Sequence, residues 1–326
     1  MKFYILTNDI PQAFLFALEK GQLFKASIEE STHSGEYGYR LKIDEKGHDV
    51  ALNEEHNELQ ERMLEVLAKE RMVYEQDNFV LKELVGSPGE RFPRIYRPVL
   101  SLFGAGSHLR QFVEVSQDEN LLMRAINQLV TLIDMLDGVF QVVFPEKENT
   151  KVYGSQIKNL LMLACMEVEG QFKGILRENN YPYRTPKKWT MIDYSLLKDV
   201  LKLAEYSIGF GLYPELGYYS PFAGWNQDKR LSWYNAYNTV KHNSETDLNQ
   251  ATLHHAINAL CAIIILHYAQ YGPHVKTMQD ELGGYFHFER EPSWELHEKL
   301  IPPSKGERWR LAEYPFRKHK PAGNKK

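Results

Sequence analysis

The chain has 326 residues, 43% hydrophobic and 25% charged, enough to bury one large core or two modest ones. Its net charge of −4 excludes a global attraction to nucleic acid or to anionic membrane, so any polyanion partner has to meet a local basic patch. The longest apolar stretch, Ala259 to Leu266, falls far short of the ~18 residues needed to span a bilayer.

The start, M-K-F-Y-I-L-T-N-D-I-P, has no sustained apolar segment or cleavage site, so no signal peptide is read and a cytoplasmic location without membrane contact is expected. Phe24, Ala26 and Ile28 alternate with polar residues, as do Tyr37, Tyr39, Leu41 and Ile43, which predicts a small hairpin closed by a turn at Asp44 to Gly47. Asn53 is placed to cap a charged helix from about Glu54 to Leu84, with Leu59, Met63, Val66, Leu67 and Val73 on its apolar side.

Residues 87–107 are rich in Pro, Gly and Arg, with Arg91, Arg94 and Arg97 three apart, and read as a linker after a small α+β region at 1–86. Gly104 and Gly106 match two glycines of a dinucleotide fingerprint, but Leu109 stands at the third. Ser116 and Glu119 form a capping-box pair for a helix ending near Gly138. Further helices are predicted at about Tyr153–Arg177, Met191–Tyr206 and Leu248–Tyr271, the last ended by Gly272-Pro273, with Tyr219 to Asn226 as a connector. The expected fold class is therefore mainly α: a helical bundle over 108–275, the small N-terminal α+β region, and a C-terminal extension at 276–326 with five Lys/Arg in its last ten residues.

Chemistry concentrates in W-Y-N-A-Y-N-T-V-K-H-N, Trp233 to Asn243. At about 100° per residue, Trp233, Ala236, Tyr237 and Val240 share a packing side, while Asn235, Asn238 and His242 fall opposite, at roughly 200°, 140° and 180° from Trp233. Lys241 lies on the flank. A solvated surface is the plain reading of such a face, and a ligand-facing one the sharper, because Asn and His together bind bases, sugars or phosphates. On the Tyr153–Arg177 helix, Glu167 lies away from the apolar side and Glu169 at its edge, where Lys241 or His242 is the expected partner; a structural ion pair is the alternative.

His242, His254, His255, His267 and His274 suggest a metal, but no pair on the last helix shares a face at ligand spacing, so none is expected and no cofactor is implied. Cys165 and Cys261 sit in apolar runs and read as small buried hydrophobes.

Over roughly residues 140–273, Y-G-S-Q-I-K-N-L-L-M-L-A-C-M-E-V-E-G, P-F-A-G-W, W-Y-N-A-Y-N-T-V-K-H-N and A-T-L-H-H-A-I-N-A-L resemble the HEPN superfamily. The resemblance implies a helical bundle, often dimeric, in defence, toxin–antitoxin or RNA-processing systems, with metal-independent cleavage of RNA by an Arg, polar residue and His motif. Asn238 and His242 match the polar residue and the histidine, and Tyr237 stands at the arginine position. The implied roles are His242 as acid/base, Asn238 as orienting donor and Lys241 as phosphate contact, with Asn235, Tyr237, Glu169 and Arg230 binding. Arg230, about 18 Å back along a continuous helix, reaches this site only from a bend or a partner subunit. The expected function is thus an RNA- or nucleotide-binding protein with metal-independent endoribonuclease activity; the alternative is an inactive dimerisation or partner-binding module with a regulatory role, the partner being a second copy or a cognate protein.

Overall fold

The structure, a computed structural model, describes residues 1–8, 12–31, 38–50, 56–70, 72–73, 78–100, 119–183, 188–225, 231–243, 245–272 and 284–316. The chain forms two compact units: Met1–Arg91 with Arg97–Glu114 and Trp294–Ala312, and Phe92–Tyr96 with Val115–Ser293 and Glu313–Lys326. The Gly104 loop, the Ser116 cap, Arg230, His274 and the basic tail lie outside the described residues.

The first unit corrects the mainly-α expectation. Strands β1 (Lys2–Asn8), β2 (Ala13–Glu19), β3 (Gln22–Ser31), β4 (Gly38–Asp49) and β5 (Phe79–Glu83) make one antiparallel sheet in the order β4-β3-β2-β1-β5. Both of its faces are buried. Phe3, Ile5, Leu15, Ala17 and Ile28 pack with Leu84, Leu100 and Ile301 on one side. Tyr4, Leu6, Phe16 and Leu23 pack on the other against Leu59, Met63, Val66 and Leu67 of helix α1 (His56–Lys69). A strand covered on both faces needs apolar residues at every position, so F-Y-I-L and F-L-F-A-L carry no period-two signal.

Two local readings change with it. The helix expected to reach Leu84 stops at Lys69, and β5 follows, with Phe79 and Leu81 buried and Val80 53% exposed, a strand alternation. The turn expected at Asp44–Gly47 is continuous β4. Gly47 is opposite Phe24, whose ring lies 2.8 Å from where a Cβ would stand, so the glycine makes room for a ring. The tight turn lies instead at Lys20-Gly21, with φ of 49° and 77°, the left-handed pair that a two-residue hairpin loop requires.

In the second unit, α2 (Glu119–Phe140), α3 (Ser155–Glu178), α6 (Ser232–His242) and α7 (Leu253–Tyr271) are the long helices, with short α4 (Met191–Tyr194) and α5 (Leu196–Val200). α7 packs against α2, α3 and α6 and is buried all round from Ala256 to Tyr271, which accounts for its largely apolar sequence, interrupted by Asn258, His267 and Gln270. The helix expected over Met191–Tyr206 is broken: Lys202 takes φ 50°, and Ser207–Phe210 forms strand β6 between β7 (Tyr218–Tyr219) and β8 (Phe286–Arg290). This unit too is therefore helices with a small sheet.

A polar chain runs through its core. Arg94, 8% exposed, donates from Nε to Gln270 Oε1 at 2.6 Å and pairs with Glu178 at 3.5 Å. Gln270 Nε2 donates to Gln171 Oε1 at 2.9 Å, and Gln171 Nε2 lies 2.8 Å from His267 Nε2. Gly174 of α3 leaves space for the guanidinium: a Cβ there would stand 1.7 Å from Arg94 Nη1. Helix propensity favours Gly174→Ala by ~1 kcal/mol, yet the bonded guanidinium has nowhere to go. We expect the substitution to cost a net ~1–3 kcal/mol in urea denaturation; a neutral or stabilised variant would contradict this packing.

His267 is fully buried, and burial, with the Arg94 charge, pushes its pKa down to about 3. The unfolded chain takes up this proton below about pH 6.5 and the folded chain does not, so the stability present above that pH is lost as pH falls towards 3, by ~1.4 kcal/mol per pH unit. Unfolding free energies of the wild type and His267→Gln, compared between about pH 6.5 and 5, should show a shallower slope in the variant. Parallel slopes would remove His267 as the cause.

Candidate functional site

Helix α6 is seated by its aromatic residues. Trp233 and Tyr237 are each 1% exposed, and Trp233 Nε1 donates to the Pro221 carbonyl at 2.8 Å. Ala236 and Val240 are buried beside them, so the packing side is the one the helical wheel gives. Tyr234, about 100° from Trp233 on that wheel, is also buried, because α3 packs against α6. The opposite face is open: Asn235 and His242 are exposed and Asn238 is half-buried, with Lys241 exposed on the flank.

Three hydrogen bonds organise the seam with α3, one of them crossing between the helices. The Tyr234 hydroxyl donates to Glu169 Oε1 at 2.6 Å, and Lys173 pairs with Glu169 Oε2 at 3.2 Å. Lys241 Nζ donates to the Tyr237 hydroxyl at 3.0 Å and stands 5.0 Å from the centre of that ring. The expected partner of Glu169 was Lys241 or His242; its direct partners are Tyr234 and Lys173. Burial, then the bond to Glu169, pushes the Tyr234 phenol far up. The Lys241 ammonium is pushed up by its bond to Tyr237 and, less, by the Glu169 charge, so it stays a cation. Burial and Glu169 likewise raise the Tyr194 phenol, which stacks on Phe172 with 5.2 Å between ring centres.

The structure thus brings Glu169, Tyr237 and Lys241 into one seam and leaves Asn235, Asn238 and His242 beside it. The side chains of these last three make no hydrogen bond or ion pair with another described residue. Glu167 accepts from Gln171 at 3.0 Å and belongs to the core chain. Sequence reasoning missed Tyr234 and Lys173. Lys173 carried a signal, four residues after Glu169 on one helix face; Tyr234 carried none, since its burial depends on where α3 comes to rest. The histidines do not converge: among the described residues no group of three or more His, Cys, Asp or Glu could hold a metal ion. Cys165 and Cys261 are buried with thiols pushed up by burial, so neither is poised as a thiolate.

Chemically, the open face offers one fixed cation, two amides and an unsupported imidazole. General acid/base work requires a base held against its proton, usually by a third group, and nothing described orients His242. Contact with a phosphate needs only the ammonium and neutral donors.

Compared with protein-family models, with characterised proteins and with solved structures, the chain finds no match in any of the three. The HEPN resemblance rests on the sequence segments alone. No described helix is long and apolar enough to cross a membrane.

The two tyrosine bonds should differ in worth. Tyr234→Phe removes a largely buried bond to a carboxylate and should cost ~1.5–3 kcal/mol, whereas Tyr237→Phe frees an exposed ammonium to water and should cost ~0.5–1.5. Urea denaturation of both variants checks the order; a larger loss for Tyr237→Phe would contradict it.

Proposed function

We propose that the α6 face binds the phosphate backbone of RNA without cleaving it. The observation that carries this reading is the Lys241 ammonium held at the Tyr237 hydroxyl, 3.0 Å away, at the edge of a face that exposes Asn235 and His242. An ammonium kept in place by a ring and a phenol loses less freedom on meeting a phosphate than one swinging in solvent. The amides suit base edges and sugar hydroxyls. The choice of RNA over other phosphate polymers comes from the resemblance of W-Y-N-A-Y-N-T-V-K-H-N to the HEPN proteins.

Retention without cleavage is favoured by what surrounds His242. Among the described residues no carboxylate partners His242. The position that the resemblance assigns to arginine is a buried tyrosine, which supplies no fork of donors for a transferring phosphate.

Anisotropy of a labelled single-stranded RNA tests the reading. Lys241→Ala should weaken binding several-fold and reduce the salt slope by about one, while total RNA incubated with the wild type and with His242→Ala stays equally intact. Cleavage by the wild type that His242→Ala abolishes, at matched stability, would replace binding with catalysis. Unchanged affinity and salt slope in Lys241→Ala would remove α6 as the binding face.

A further inference from the structure

The 3₁₀ turn Lys147–Lys151 lies beside the start of α7. Leu253 N donates to the Val152 carbonyl at 2.8 Å, and Tyr153 bridges to Thr252, so the two segments are tied together by main chain. Between them is a cavity of about 360 Å³, whose walls include Lys147, Lys151, Tyr218, Tyr219, Thr252 and His254. Ligand pockets for small molecules begin at about this size.

Its charge is one-sided. Two lysines line it and, among the described residues, no carboxylate does. Neither lysine forms an ion pair with a described residue, and the neighbouring Glu146 is engaged by Asn149 Nδ2 at 3.0 Å. His254 adds a neutral donor. Asn258 Nδ2 donates to the His254 carbonyl at 2.9 Å, so that nitrogen also donates to His254 Nε2, 3.1 Å away, and the ring proton sits on Nδ1. Burial, with His255 beside it, disfavours a second proton. Beside Thr150, Leu216 and Thr252, two tyrosine rings complete the walls: Tyr219 is buried 5.7 Å from the His254 ring, and Tyr218 stands 60% exposed.

Two lysines four residues apart, neither in an ion pair with a described residue, line the same cavity as a neutral donor and tyrosine rings, a set that matches a dianionic group on a small flat or ring-bearing body. We propose that this cavity binds a phosphomonoester of about mononucleotide size, with its phosphate at Lys147 and Lys151 and its ring portion against Tyr218. The positive end of the α7 dipole adds to the attraction. A nucleoside monophosphate and a sugar phosphate share this chemistry, and the inference does not depend on RNA binding by α6.

Calorimetric titration of the full chain with AMP, UMP, glucose 6-phosphate, inorganic phosphate and adenosine tests it. One or more of the phosphomonoesters should bind more tightly than inorganic phosphate or adenosine, and whichever binds best tells nucleotide from sugar phosphate. The Lys147→Gln/Lys151→Gln variant should weaken that ligand ~10-fold or more. Both lysines are exposed, so its melting temperature without ligand should match the wild type. Tyr218→Ala should weaken the phosphomonoester more than inorganic phosphate. Equal affinity in the double-lysine variant, adenosine binding as tightly as AMP, or no binding by any phosphate compound would each overturn the proposal. Retained RNA binding by α6 in the double-lysine variant separates this outcome from the fate of the other site.

Discussion

A buried guanidinium accepts nothing and must be given acceptors, and in the second unit that requirement sets the polarity of a whole row of side chains. Arg94 can only donate, so Gln270 must turn Oε1 towards it, which leaves Gln270 Nε2 to donate onward to Gln171 Oε1. Gln171 then has only its Nε2 left, shared between Glu167 and His267, so His267 Nε2 accepts and its proton resides on Nδ1. A doubly protonated His267 would turn donor against donor at Gln171 and add a cation near Arg94. Burial, with the Arg94 charge, keeps the core histidine neutral, and the same arginine, three side chains away, decides through the direction of the bonds between them which nitrogen holds the proton.

That chain also fixes the rotation of α3. Glu167, Gln171, Gly174 and Glu178 recur at spacings of four, three and four, so they share one face, and Gly174 is the point where the guanidinium lies against the helix. Turning α3 to improve any other contact would break the Arg94 row. With that face committed, Glu169 is carried to the edge that meets α6, where it takes the Tyr234 hydroxyl and Lys173. The seam beneath the proposed RNA face is thus set by a polar network inside the core.

Amphipathic elements with one buried face were readable from sequence, since periodicity reports the contrast between faces. The packing side of α6 and the apolar side of α1 at Leu59, Met63, Val66 and Leu67 belong to this class, whereas α7, buried all round, was readable from the length of its apolar run and its stop at Gly272. Where both faces are buried the contrast vanishes, and so β1 and β2 were invisible as strands and the sheet with them. The Arg94 row was out of reach for another reason: Gln171, Gln270 and Gly174 are unremarkable residues whose roles exist only once a segment from the Pro-rich stretch lies against α3 and α7. Of the site, the wheel separated Asn235, Asn238 and His242 from the packing residues. It could not show that Lys241 bends back to Tyr237, because two i,i+4 side chains can meet or diverge.

The Tyr237–Lys241 pair also bears on binding against catalysis. A phosphodiester carries one negative charge, and a single fixed ammonium with neutral amides can compensate it. Cleavage adds charge in the transition state, and only groups that interact more strongly there than in the ground state lower the barrier. Lys241 contributes one point charge without a fork of donors. His242 could supply the difference only by holding a proton at a defined place, and among the described residues no carboxylate or carbonyl defines it. On the proposed reading, a buried tyrosine that holds a lysine, at the position the resemblance assigns to arginine, keeps the ground-state attraction and lacks the differential part.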